Sequence, residues 1–178
     1  VWDTPTQRWI MAPGQHQVAV GDSSRSLPLS GPVTVGSPGA NLALNKPATG
    51  SAACSANEMP AKAVNGSVSG GNSDKWCSAS GTTKTLTVDL GAATTLKKLT
   101  VRHAGAGGEP ASLNTRDFDL ATSSDGTTWT TAAQIRGNTA SVTDHTISAT
   151  ARWIRLSVIA GTQTTSNIAR IYEFEAYA

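Results

Sequence analysis

Residues 85–90, Thr85-Leu86-Thr87-Val88-Asp89-Leu90, alternate polar and apolar at every step. Side chains of an extended chain point to opposite faces in turn, so Leu86, Val88 and Leu90 share one buried face. The same pattern spreads outward from this stretch. Leu96 to Arg102 reads as the next strand, with Leu99 and Val101 inward. Residues 117–123 and 127–133 flank Ser124-Asp125-Gly126, a hairpin turn signal. Residues 152–159 place Ile154, Leu156 and Val158 on one face. The last strand, Arg170 to Tyr177, is expected to set Tyr172 and Phe174 against Glu173 and Glu175. Many short strands, turns between them and no amphipathic helix predict an all-β fold, an antiparallel β-sandwich of jelly-roll type.

The bulk composition narrows the partners. Only 15% of the residues are charged and the formal net charge is +2, with no cluster of Lys and Arg. That argues against nucleic acid as a partner. No run of about 18 apolar residues occurs, so no membrane-spanning helix and no membrane partner are expected. The chain opens on Val1 and Trp2, without the basic start and apolar stretch of an export signal. It therefore reads as a mature product or as a piece of a longer protein, and the few strand signals of residues 1–35 favour the piece.

Residues 1–35 hold two or three short strand signals: His16 to Val20, then Leu27, Leu29, Val33 and Val35, with a turn at Pro13-Gly14. So few strands cannot bury a core of their own, and they form a short N-terminal β appendage that must lean on something else. Residues 12–35, APGQHQVAVGDSSRSLPLSGPVTV, resemble the last strands of the fibronectin-III-like domain that closes many family 3 glycoside hydrolases, chiefly through the turn at residues 21–25. Residues 36–40, around Gly36-Ser37-Pro38-Gly39, read as a linker, and 41–178 as the main domain. Trp2 and Trp9 are expected to pack across that junction.

Cys54 and Cys77, the two cysteines, bracket a polar, turn-rich loop. In an exported protein they read as one disulfide, which contributes roughly 3 kcal/mol by restricting the unfolded chain. In a reducing compartment they read as two buried thiols. Composition favours the bridge, and the absence of a CxxC pair argues against redox and zinc chemistry.

The segments NLALNKPATGSA (41–52), PAKAVNG (60–66), KW (75–76), LTVDLG (86–91), SSDGTTW (123–129), ARWIRLSV (151–158) and IYEFEAY (171–177) resemble, in order and spacing, the discoidin or coagulation factor V/VIII type C family. Its bacterial branch includes the family 32 carbohydrate-binding modules. The resemblance implies a discoidin-like sandwich with ligand-binding loops at one end, a secreted, extracellular bacterial protein, and a structural cation of the calcium type. The implied Ca2+ ligands are the Lys62 and Ser67 carbonyls, the Asn65 side chain, Asp74, the Tyr172 carbonyl and the Glu173 carboxylate. Such a mixed oxygen shell suits calcium. The family usually carries Asp where this chain has Asn65, which removes one negative charge that Asp74 restores.

Galactose-binding members typically carry His after the Trp that follows the cation loop; here that position is Cys77. A different polar set is available for a sugar: Glu58 in the cysteine loop, then His103, Glu109, Asn114 and Arg116 on one long inter-strand loop. Each has a plainer reading: His103 as a strand cap, Arg116 and Glu109 as a loop clasp, Glu58 as a solvated carboxylate. Trp76, Trp129 and Trp153 read as core rather than as sugar platforms.

No catalytic constellation stands out. Glycoside hydrolysis needs two carboxylates facing across a cleft. Glu173 and Glu175 share one strand face, as do Asp117 and Asp119. His145 beside Asp144 lacks a nucleophile and reads as exposed, and neither a GxSxG elbow nor an HExxH motif occurs. The chain is thus expected to be a non-catalytic carbohydrate-binding module of a family 3-like glycoside hydrolase, with glycan and the parent's catalytic domain as partners. The alternatives are a structural accessory domain packed on the catalytic body and a protein- or lipid-adhesion domain.

Overall fold

The structure is a computed structural model that describes residues 2–3, 8–9, 14–21, 23, 27–35 and 39–178. It divides into two compact units, residues 1–40 and 41–178. In the first, β1 (Trp2–Asp3) pairs with β2 (Arg8–Trp9), and β3 (Gly14–Val20) pairs antiparallel with β4 (Leu29–Val35). Val18, Val20, Leu29 and Val33 on that hairpin are exposed. Pro13, most of the expected turn at 21–25, residues 36–38 of the linker and the side chains of Trp2 and Trp9 lie outside the described residues.

The second unit carries β5 (Ala48–Gly50), β6 (Trp76–Ser78), β7 (Lys84–His103), β8 (Asp117–Ser123), β9 (Thr130–Ile135), β10 (Val142–Ala160) and β11 (Ala169–Tyr177), with only short 3-10 turns between them. All pairings are antiparallel. Two strands are long enough to serve both walls of the sandwich. The first half of β7 pairs with β5 and the second half of β10, which also holds β8; the second half of β7 pairs with β11 and the first half of β10. Register shifts in β10 at Thr146/Ala149 and Ala151/Trp153 mark where the ribbon bends from one wall to the other. One core results, with Leu86, Val88, Leu99, Val101, Ile154, Leu156 and Phe174 all at 0% exposure. The expected antiparallel all-β sandwich is what residues 41–178 form.

Three details differ from the expectation. The second arm of the 117–135 hairpin begins at Thr130, because the Asp125 carboxylate accepts the Thr127 and Thr128 amides (2.8 and 2.7 Å) and withholds them from the ladder. In β11 a register shift between Ile171 and Glu173 breaks the alternation, so Ile171 rather than Tyr172 joins Phe174 in the core, and Glu173 and Glu175 are buried as well. Trp76 is fully buried, whereas Trp129 and Trp153 are half-buried and lie outside the core cluster. Trp153 sits opposite in parity to Ile154 and so faces outward.

Candidate functional site

Strand direction gathers the chain's polar loops at one end. β7 ends there at His103, β8 starts at Asp117, β10 ends at Ala160 and β11 starts at Ala169. The disulfide Cys54–Cys77 is formed, with a Cα–Cα distance of 5.4 Å. It ties the 54–58 turn to β6, where Cys54 N donates to Cys77 O (2.9 Å) and Cys77 N to Glu58 O (3.2 Å). Glu58 is thereby fixed next to the residue that enters β6, Lys75. Cys54, Glu58 and Cys77 are the one group of three potential metal-ligating side chains among the described residues, and the bridge takes both sulfurs out of that role.

Lys75 is the hub of the rim. Its side chain is 4% exposed, and its ammonium donates to Glu109 Oε1 (2.6 Å) and Asn72 Oδ1 (2.8 Å), with Glu58 Oε1 at 3.7 Å. Glu109 also accepts from Tyr172 Oη (3.0 Å) and pairs with Arg170 Nε (3.3 Å). Burial, with the Glu109 carboxylate next in importance, drives the Tyr172 hydroxyl well above the ordinary phenol range, so it stays a donor. Gly107 makes this approach possible: a Cβ there would lie 2.0 Å from the Tyr172 ring, so only glycine lets the 104–108 turn cross that ring. Two carboxylates and two cations from four chain segments thus converge, with the Glu109 and Arg170 side chains still 20% and 17% exposed. Arg170 Nη1 is buried without a hydrogen-bond partner.

Of the five expected sugar contacts, Glu58 and Glu109 meet in this cluster. His103 and Asn114 do not; both are at 0% exposure beneath the rim, with no surface to offer a ligand. Asn114 Oδ1 accepts from Gly105 N (2.7 Å) and its Nδ2 donates to Thr139 O (2.9 Å), so its amide laces the loops together. His103 continues the inward parity of Leu99 and Val101 and lies 5.2 Å from the Phe118 ring. Arg116 is exposed but pairs with Asp117 (3.2 Å), not with Glu109, and lines a 260 Å3 depression with Thr162, Thr164 and Ser166. His145 is half-buried rather than exposed. Sequence reasoning missed Lys75, Arg170 and the Tyr172 side chain; the signal was a charged residue set directly against each of two apolar strand starts, KW and RI.

The expected cation loop is closed around its own side chains. Asn65 Nδ2 donates to Asp74 Oδ1 (3.0 Å), and Asp74 Oδ2 accepts from Ser67 Oγ and Gly70 N, both at 2.5 Å. Ser67 N donates to Asn65 Oδ1 (2.9 Å). These bonds, led by that from Ser67, hold the Asp74 carboxyl below its ordinary range. Glu173 reaches the same loop through Gly66 N (2.7 Å), and burial pushes its carboxyl up to about 7. Its Oε2 is buried with no partner.

The comparisons agree with this architecture. The F5/8 type C domain family model matches residues 47–174. The family 32 carbohydrate-binding module of Streptococcus pneumoniae EndoD is 32% identical, covers 78% of this chain and 99% of its own, and superposes with a TM-score of 0.67. Chitosan-binding module 1 from a chitosanase/glucanase of Paenibacillus sp. IK-5 is 28% identical over 78% of this chain and 99% of its own, at a TM-score of 0.63. Module 2 of that enzyme, solved with chitotriose, shares the fold at 24% identity, 78% and 100% coverage and a TM-score of 0.64. No curated protein sequence matches the chain. The motif order, the two-walled sandwich and these likenesses lead to one conclusion: the chain belongs to the F5/8 type C domain family.

Proposed function

We propose that residues 41–178 form a non-catalytic carbohydrate-binding module that grips glycan at the rim through Glu58, Glu109 and Arg170, with Lys75 and Tyr172 holding these groups in place. The observation that carries this reading is Glu109: its carboxylate is pre-oriented by three donors from distant segments, yet keeps an exposed edge. Fixed, charged, planar acceptors beside a partly exposed guanidinium are what sugar hydroxyls need in a shallow site. Arg116, at the depression lined by Thr162, Thr164 and Ser166, is a further candidate contact. The resemblance to chitosan-binding module 1 makes a chito-oligosaccharide the first probe. Calorimetry is expected to show binding that Glu109→Gln weakens about tenfold or more, since the substitution keeps shape but removes the charge that organises the rim. Equal affinity in wild type and variant sinks the assignment.

The module's place is in a secreted, extracellular glycoside hydrolase with a family 3-like parent, where tethering raises the enzyme's local concentration on polymeric substrate. The disulfide supports export, because such bridges persist in oxidising compartments. A second reading, a structural domain packed against the catalytic body, is favoured by the burial of His103 and Asn114 and by the mutual pairing within the rim. It predicts no glycan binding and a less stable catalytic domain once the module is deleted.

A structural Ca2+ fits the Glu173 loop. The orphaned, buried Glu173 Oε2 lacks a counter-charge that a cation would supply, with the Lys62, Ser67 and Tyr172 carbonyls, Asn65 and Asp74 as further oxygens. Calcium at about a hundred times its Kd is expected to stabilise the chelated protein by roughly 3 kcal/mol. Glu173→Gln should abolish that gain; an unchanged melting temperature on calcium addition would remove the ion from the account.

A further inference from the structure

On the outer face of the β5–β7–β10 wall, a cleft of 390 Å3 is lined by Pro47, Thr49, Thr87, Asp89, Trp153 and Arg155. It lies toward the turn after β8, at the far end of that strand from the loops that form the rim. These residues alternate with the buried Leu86, Val88, Ile154 and Leu156, and cross-strand pairing sets Thr49, Thr87 and Arg155 in one row and Asp89 and Trp153 in the next. Thr87, Asp89, Trp153 and Arg155 are held in place. The Arg155 guanidinium lies 3.7 Å over the Trp129 ring, and its Nε donates to Thr87 Oγ1 (3.1 Å). The Trp153 wall carries Arg152 at 4.2 Å and backs onto Gly126, where a Cβ would stand 3.4 Å from the indole.

The charges do not balance. Asp89 is taken up by Arg152, through Nε and Nη2 at 2.7 Å each. Lys46 also acts on Asp89. Arg152 and Lys46 therefore already answer this carboxylate, and among the described residues no ion pair involves Arg155. A planar fork with two open nitrogens, fixed on an aromatic ring and left without an acid, is built to take a carboxylate side-on. Threonine hydroxyls and an indole wall beside it match the hydroxyls and C–H faces of a pyranose, and the volume falls within the usual range for small-ligand sites.

We propose that this cleft is a second saccharide site, selective for an acidic sugar whose carboxylate pairs with Arg155. The site is independent of the rim. Titrating the 15N-labelled protein with a glucuronic-acid-containing trisaccharide, its neutral glucose counterpart and acetate separates the cases. The acidic trisaccharide is expected to shift the Trp153 and Trp129 indole and Arg155 Nε signals, saturably and with weakening as salt rises. Arg155→Gln should reduce affinity at least about tenfold while Glu109→Gln leaves it unchanged. Arg155→Lys, which keeps the charge but not the fork, should restore little. Equal shifts with the neutral trisaccharide, saturation by acetate at the same concentration, or no shift at these three side chains overturns the proposal; because the wild-type titration alone decides this, a variant that fails to fold does not rescue it.

Discussion

Replacing both cysteines, Cys54→Ser with Cys77→Ser, is expected to destabilise the domain by about 3 kcal/mol. The loop closed by the bridge spans 23 residues of separation, and opening it returns that freedom to the unfolded chain. The same change should weaken glycan binding, because Glu58 reaches Lys75 only while the 54–58 turn stays fastened to β6. Denaturant unfolding, read at the midpoint with an unchanged slope, measures the first effect, and calorimetry the second. A midpoint that does not move would show the backbone pairs Cys54–Cys77 and Cys77–Glu58 to be sufficient alone.

The second large effect lies on the acid side. His103 is at 0% exposure, and burial, reinforced by the charge on His145, lowers its pKa from 6.5 to about 3. Its Nε2 meets Thr143 Oγ1 at 3.2 Å, which His145 Nε2 also approaches at 2.9 Å, while its Nδ1 has no partner. A base whose folded value is depressed contributes stability that is present above its ordinary value and lost as pH falls through the window from 6.5 to about 3. At about 1.4 kcal/mol per unit, some two units below the ordinary value, near pH 4.5, remove about 3 kcal/mol. His103→Leu should flatten that limb by one proton's worth, whatever its cost at neutral pH. His145, lowered by burial too, adds to the slope, whereas Glu173, raised from 4.5 to about 7, takes up its proton first in the fold and opposes it between those values. An unaltered slope in the variant would assign the acid sensitivity elsewhere.

Much of the scaffold was legible because alternation is a local rule. Leu86, Val88, Ile154 and Leu156 face the core as their parity requires. The same parity also marks His103 as inward, after Leu99 and Val101, and Trp153 as outward, opposite Ile154; chemistry-based expectations for those two residues ran against it. The bulge at Tyr172 was not legible, since nothing local in IYEFEAY distinguishes a regular strand from one that slips a residue. The rim was half legible. Glu58 and Glu109 carry sugar-type chemistry on their own, but the partners that organise Glu109 lie 34 residues away at Lys75 and 63 at Tyr172. Pairings over such distances follow from how the two walls fold onto each other, which no short window of sequence contains.

If the Glu58–Lys75–Glu109–Arg170 rim holds glycan, a crystal structure of the protein soaked with the chito-oligosaccharide will show a sugar ring whose hydroxyl or amino groups lie within hydrogen-bonding distance of Glu109 and Arg170. A well-ordered sugar bound elsewhere, with that rim untouched, would contradict it.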